Sequence, residues 1–179
     1  MKRLTLLRHA KSSWSDPVLR DFDRPLNARG RRAARAMGRE MRERGLAFDR
    51  VLASPAARVV ETLRDVGETY GHELHPEYDR RIYLASVEVL LELIHGTEDE
   101  ASDLLIVGHN PGLERLALVL SQAGALRSEI EVKYPTGTLV QIAFPVDSWA
   151  DVAADGGTIA CFTRPRDLDA SLGPDEDTF

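Results

Sequence analysis

The 179-residue sequence predicts a three-layer α/β/α sandwich built around a mostly parallel central sheet. Short apolar runs of strand length alternate with stretches of helical periodicity, the pattern of successive βα units. The runs are almost continuously apolar, as strands covered on both faces are. Hydrophobic residues make up 43% and charged residues 29% of the chain, so its length suffices to enclose one core without disulfides.

Arg3-Leu4-Thr5-Leu6-Leu7 reads as a first buried strand that delivers Arg8 and His9 at its C-terminal end. Asn27 is a candidate N-cap for a helix running to about Gly45, with Ala33, Met37 and Met41 on its inner face. Val51-Leu52-Ala53 is a second strand. Ser54-Pro55 then reads as N-cap and first-turn proline of a helix that carries Arg58 and turns Val59, Val60, Leu63 and Val66 inward. Gly71 stops that helix, and a polar connection with His72, His75 and Pro76 follows. Val87 to Ile94 is helical by period, with His95 at its C-terminal end facing the dipole. Leu104-Leu105-Ile106-Val107 is the clearest strand; it runs into Gly108-His109-Asn110-Pro111-Gly112 and an apolar helix over Leu113 to Leu120. Residues 138–144 and 158–162 supply two later strands, the second holding Cys161. One domain over residues 1–170 is expected, with residues 171–179 as an acidic tail frayed from Asp175 onward.

Composition excludes several function classes. The net charge of -6 hides a basic first part: residues 1–64 hold 16 Lys/Arg against 7 Asp/Glu, and residues 65–179 hold 7 against 22. The basic residues are interspersed with acids and small residues and lack interleaved aromatics, which points away from nucleic acid. The arginines of residues 29–44 read as a solvated helix face that also offers a positive field to an acidic, phosphorylated partner. No apolar run is long enough to cross a bilayer, and the N-terminal segment has no signal-peptide pattern, so no membrane association and a cytoplasmic location are expected. A single cysteine excludes a disulfide framework, and Cys161 to Arg166 encloses one residue too few for the nucleophile loop of a cysteine phosphatase. Walker and Gly-x-Ser-x-Gly patterns are absent. His72-x-x-His75 lacks companion ligands, so it reads as a solvated loop and no metal site is expected.

Arg8-His9, Arg58 and His109 each follow a separate buried strand, at the sheet edge where α/β proteins gather ligands. Two guanidinium groups and two imidazoles with no carboxylate in the inner ring call for a dianion. Guanidinium matches tetrahedral phosphate through paired hydrogen bonds, and helix starts after Ser54 and Asn110 add N–H groups. An imidazole among cations keeps its lone pair near neutral pH and is a competent nucleophile toward phosphorus. The bland reading of each residue alone is a loop histidine or an ion-paired arginine.

Leu7-Arg8-His9-Ala10-Lys11 resembles the Arg-His-Gly signature of the histidine phosphatase superfamily, in the short form of the SixA-like phosphohistidine phosphatases. Asp23-Arg24-Pro25-Leu26-Asn27-Ala28-Arg29-Gly30, Ser54-Pro55-Ala56-Ala57-Arg58, Gly108-His109-Asn110-Pro111-Gly112 and Tyr134-Pro135-Thr136-Gly137 resemble later family segments in the same order. The resemblance spans residues 3 to 163 and implies a phosphoglycerate mutase-like fold. It further implies that His9 attacks phosphorus, that Arg8, Arg58 and His109 hold the phosphoryl oxygens, and that water cleaves the phosphoenzyme without metal or cofactor. Ser15 occupies the place where many relatives carry an Asn that helps hold phosphate.

Two positions depart from the family pattern. Ala10 replaces the usual glycine, and the glutamate that mutase-like relatives use as general acid has no clear match among Glu77, Asp79 and Tyr83, of which Asp79 is the candidate. A weak acid matters less where an imidazole leaves from phosphorus, and the 51-residue spacing from Arg58 to His109 leaves little room for a long lid. Both favour protein phosphohistidine as substrate. The rival readings are a broad phosphatase for small phosphorylated metabolites and a phosphate-recognition module without turnover. Oligomeric state is left open.

Overall fold

Strand β1 (Lys2–Arg8) lies inside a six-stranded sheet with β2 (Arg50–Ala53), β3 (Pro76–Tyr78), β4 (Asp103–Gly108), β5 (Leu139–Phe144) and β6 (Thr158–Thr163), in the order β3-β2-β4-β1-β5-β6. A computed structural model describes residues 1–173. The first four strands of that order run parallel; β5 and β6 are antiparallel, which gives the mostly parallel sheet expected.

The two-residue period of the strands sorts their side chains into two cores. Leu4 and Leu6 of β1, Leu104 and Ile106 of β4, and Val140 and Ile142 of β5 pack on one face. There they meet α3 (Val87–His95), α4 (Gly112–Leu120) and α5 (Ala125–Val132). Leu7, Val51, Ala53, Leu105 and Val107 face the other way, against α1 (Ala28–Glu43) and α2 (Ala57–Tyr70). The three layers follow from that alternation.

Several local readings hold. The Asn27 side chain accepts from Gly30 N and caps α1, Gly45 and Gly71 take the left-handed backbone that ends α1 and α2, and Cys161 is buried in β6. His95 ends α3, its Nε2 bonded to Val152 O at 2.8 Å. Other readings need correction. Helix α2 starts at Ala57 with Ala56 as N-cap, because the Ser54 N–H still bonds Val107 O of β4. Val60 is 39% exposed, so the inner face of α2 is Val59, Leu63 and Val66. The polar connection after Gly71 contains edge strand β3, and α5 is an additional helix; neither has enough apolar periodicity to be seen in sequence. Asp175 to Phe179 lies outside the described residues, whereas Leu172, placed in the tail by the sequence, is buried against Ala33 and Ala36 of α1. The arginine face of α1 is largely paired: Arg31 meets Glu61, and Arg35 meets Glu68 and Asp65, all on α2. Among the described residues, no helix is long and apolar enough to cross a membrane.

Candidate active site

Sheet register builds the site. Arg8 pairs with Gly108 and Ala53 with Val107, so β1, β4 and β2 end on one line. The next residues, His9, His109 and Ser54, therefore leave the sheet side by side; His9 N donates to Gly108 O and Ser54 N to Val107 O, both at 3.0 Å. The start of α2 then carries Arg58 back across them. Gly137 has φ of 75°, a conformation suited to glycine, and donates to His9 O at 2.9 Å, fixing the backbone of the nucleophile candidate from the β5 side.

The side chains converge. Arg58 Nε donates to His9 Nε2 at 3.3 Å, and Arg58 Nη2 donates to His109 Nδ1 at 3.2 Å. The imidazole centroids are 5.3 Å apart. Ala10 O can only accept, so the His9 Nδ1 at 2.8 Å carries a proton and Nε2 keeps its lone pair toward Arg58. By the same reasoning His109 Nδ1 accepts from Arg58, and its Nε2–H donates to Ser54 Oγ at 2.7 Å. Ser54 is thus a positioning residue that its reading as a helix cap concealed; Ala56 N also donates to its hydroxyl at 3.3 Å.

Arg8 is buried beside this pair. Its Nη1 donates to Tyr134 O at 2.9 Å, and its guanidinium lines a cavity of about 440 Å³ with Asn110, Glu114, Arg115 and Lys133. Burial, first, and then the charges of His109, Arg8 and Arg58 hold the His9 imidazole well below its usual pKa. Burial and Arg58 lower His109 to about 3. Both rings are neutral at pH 7, surrounded by fixed positive charge.

The profile of the histidine phosphatase superfamily (branch 1) matches residues 4–142, a stretch that contains all four of these side chains. The chain belongs to the histidine phosphatase superfamily. It is 34% identical over 164 residues to an uncharacterized protein of Mycobacterium tuberculosis (strain H37Rv), covering 89% of this chain and 100% of that one. Among solved structures it is similar to a Nakamurella multipartitia protein assigned as the phosphohistidine phosphatase SixA. That match has a TM-score of 0.80 at 29% identity and covers 92% of this chain and 96% of the other. A protein histidine phosphatase SixA complexed with tungstate shares the fold, with a TM-score of 0.75 at 20% identity over 93% and 99% of the two chains.

Against the superfamily pattern, the remaining candidates fall elsewhere. Ser15 is exposed, and its hydroxyl bonds that of Ser13 at 2.8 Å. Asp79 accepts from Arg81 N, Nε and Nη2, and faces a different cavity with Arg50 and Glu77. Ala10, in the glycine position, is fully buried, and its N–H donates to Thr62 Oγ1 of α2 at 3.0 Å. Its methyl group is accommodated in the core of α1 and α2 rather than facing the site.

The largest correction concerns the inner ring, expected to lack a carboxylate. A one-turn 3-10 helix, Asp21–Asp23, places Asp21 directly on Arg58: Arg58 Nη2 donates to Asp21 Oδ2 at 3.0 Å and Nη1 to Asp21 O at 2.7 Å. Tyr83 Oη donates to the same Oδ2 at 2.5 Å, while its ring meets His109 edge-on at 5.3 Å. The anion that a buried arginine demands is supplied here by the protein itself. Two short segments thus cover a mouth expected to be open, leaving His9 7%, Arg58 3% and His109 3% exposed. Asp21 lay in a stretch without periodicity; its clue in sequence is the acid-rich Asp21-Phe22-Asp23 directly before the Arg-Pro-Leu motif.

Proposed function

We propose that the protein is a phosphatase acting through a covalent phosphohistidine on His9, with protein phosphohistidine as its substrate class. The observation that carries this reading is the single guanidinium of Arg58 bridging His9 Nε2 and His109 Nδ1. It sets a lone pair and a fork of donors around one small volume, which is what in-line phosphoryl transfer needs. His9 Nε2 attacks phosphorus as the leaving group departs opposite. Arg8, Arg58 and His109 meet the charge spread over the equatorial oxygens. Water then attacks the phosphohistidine, and the P–N bond electrons return to Nε2. These residues supply both nucleophile and charge, so the scheme calls for no metal.

A leaving imidazole is readily protonated and breaks from phosphorus more easily than an alkoxide, which fits a site without the glutamate of the mutase-like relatives. The similarity to structures assigned as SixA supports the same substrate class. The test has two arms. Brief reaction with radiolabelled phosphoryl donor and an alkaline quench traps an alkali-stable label that His9→Ala abolishes; tight phosphate binding with no label would make the protein a recognition module. Comparison of kcat/KM for a phosphorylated histidine protein with sugar phosphates then separates the substrate classes, and higher efficiency on the sugars defeats the protein reading.

A further inference from the structure

Asp21 is one guanidinium away from the nucleophilic nitrogen. Its Oδ2 accepts from Tyr83 Oη at 2.5 Å and Arg58 Nη2 at 3.0 Å, and its Oδ1 accepts from Arg24 Nη2 at 2.9 Å and Nε at 3.2 Å. Its side chain is 43% exposed where that of Arg58 is 3% exposed, so it stands on the solvent side of the cluster. His9 is buried at the strand end with Arg58 Nε on its Nε2, and Asp21 and Tyr83 lie beyond that guanidinium. Asp79 faces another cavity, and Glu114 shares the Arg8 cavity and is bonded by Asn110 Nδ2 at 3.2 Å, whereas Asp21 is bonded to Arg58 itself.

We propose that Asp21 donates the proton to the leaving group and then accepts one from the attacking water, with Tyr83 and Arg24 holding its carboxyl group in place. The proposal rests on the His9 phosphoenzyme reading and adds to it the acid that the sequence lacked at the mutase position.

The resting protein keeps the Asp21 carboxyl ionised. Against its partial burial, hydrogen bonds from Tyr83, Arg24 and Arg58 hold it far below the usual carboxylate range. The charged and titratable groups that face it are Arg24 on its own segment, Arg58 on α2, Tyr83 on the connection before α3, and His109 at the end of β4. An arriving phosphoryl group competes for the Arg58 donors and brings negative charge beside the carboxylate, and both changes raise its proton affinity. A phosphoryl monoanion, with a second ionisation near about pH 6, carries the proton in. In the first half-reaction the P–N or P–O bond to the leaving group breaks, its electron pair takes the Asp21 proton, and His9 Nε2 bonds to phosphorus. In the second, water bonds to phosphorus, its proton goes to Asp21, and the P–Nε2 electrons return to His9. The second half-reaction restores the protonated Asp21 of the substrate complex, and that proton leaves with phosphate, returning the resting carboxylate.

The test is kcat/KM for aryl phosphates of graded leaving-group acidity, because that ratio reports the first half-reaction. With Asp21→Asn, phenyl phosphate is expected to lose about 10²-fold or more, and 2,4-dinitrophenyl phosphate, whose leaving group needs no proton, less than about tenfold. The same variant is expected to release a burst of dinitrophenol and accumulate the alkali-stable label, because the water step has lost its base. Tyr83→Phe keeps the ring against His109 and is expected to show the same leaving-group trend at smaller amplitude, which tests the idea even if Asp21→Asn folds poorly. Equal losses across the aryl series, faster turnover in Asp21→Asn, or a leaving-group trend in Glu114→Gln instead would overturn it. Wild-type protein that turns over these esters without any alkali-stable label would instead remove the phosphoenzyme reading beneath it.

Discussion

The two halves of the site are made differently. His9, His109 and Ser54 leave three parallel strands whose register the backbone hydrogen bonds fix, and their positions are set by the same ladder that holds the core. Asp21 and Tyr83 come from short irregular segments, a 3-10 turn and the connection before α3, and reach the site through bonds to Arg58, Arg24 and each other and the edge of the Tyr83 ring on His109. The strand-end half is held by the sheet ladder and carries the groups that meet phosphorus in the proposed scheme. The collar half is tied on by charge, and an incoming anion competes for those ties.

The comparison breaks if the strand-end residues are not the more costly to lose. His9→Ala removes the proposed nucleophile and is expected to cut turnover by a factor on the order of 10⁴ or more. Arg58→Ala removes charge stabilisation and the anchor of the collar together, and is expected to cost on the order of 10²–10³-fold in kcat/KM. A loss for Arg58→Ala no larger than tenfold in steady-state assays would show that Arg8 alone carries the charge.

Buried neutral imidazoles also mark the strand-end half through pH. His9 and His109 have folded pKa values below the unfolded value of 6.5, so the unfolded chain binds protons first as pH falls. Stability is therefore full above about pH 6.5 and is lost on acidification below it, progressively toward the folded values. At pH 5.5 the loss from His109 is about 1.4 kcal/mol, and His9 adds to it in the same direction. Asp21 does not contribute in that window, because its folded pKa lies below its unfolded value of 3.8. Denaturant midpoints at pH 7 and 5.5 check this, and His109→Gln is expected to reduce the difference. Identical midpoints would mean that the rings are protonated in the folded state.

The same division governs what could be read from sequence. Buried strands announce themselves by continuous apolar residues, so Leu4 to Leu7 and Leu104 to Val107 revealed both where the sheet lies and which residues follow its edge. Arg8, His9, Arg58 and His109 were legible because each comes directly after such a strand or opens the helix behind it. The collar carries no period. Asp21 sits in a loop whose contacts are 37 residues away at Arg58 and 62 away at Tyr83, and nothing local requires them. Ser54 was misread for a related reason: Ser-Pro before a helix satisfies the capping pattern, while the tertiary partner, His109, lies 55 residues on. Edge strand β3 is three residues long and mostly exposed, too short for any pattern to separate it from a loop.

Ser54 sharpens the contrast at smaller amplitude. It touches no phosphoryl oxygen in the scheme above; its hydroxyl accepts the Nε2–H of His109 and so keeps Nδ1 turned to Arg58. One hydrogen bond of about 1 kcal/mol governs the ring's tautomer and tilt, so Ser54→Ala is expected to lower kcat/KM about five- to tenfold. Ser54→Thr, which retains the hydroxyl, should recover most of it. Kinetics that are unchanged in Ser54→Ala would mean that packing against Tyr83 alone orients His109.

Asn27 tests the collar from its far end. Its side chain caps α1 through Gly30 N, and its own N–H donates to Lys11 O at 3.0 Å. Gly30 lies so close to the same Lys11 carbonyl that a Cβ there would collide with it. The segment that carries Asp21 is thus pinned to α1 at its base by backbone and cap contacts. Asn27→Ala is expected to cost about 1 kcal/mol of stability, read as a shifted denaturant midpoint. Because the ladder between β1 and β4, not the cap of α1, sets the positions of His9 and His109, phosphoenzyme formation from an activated ester should change by less than twofold, while phenyl phosphate, which depends on the placement of Asp21, should lose more. Equal loss on both esters would show that the cap supports the whole site through α1, and that the collar and the strand ends are one mechanical unit.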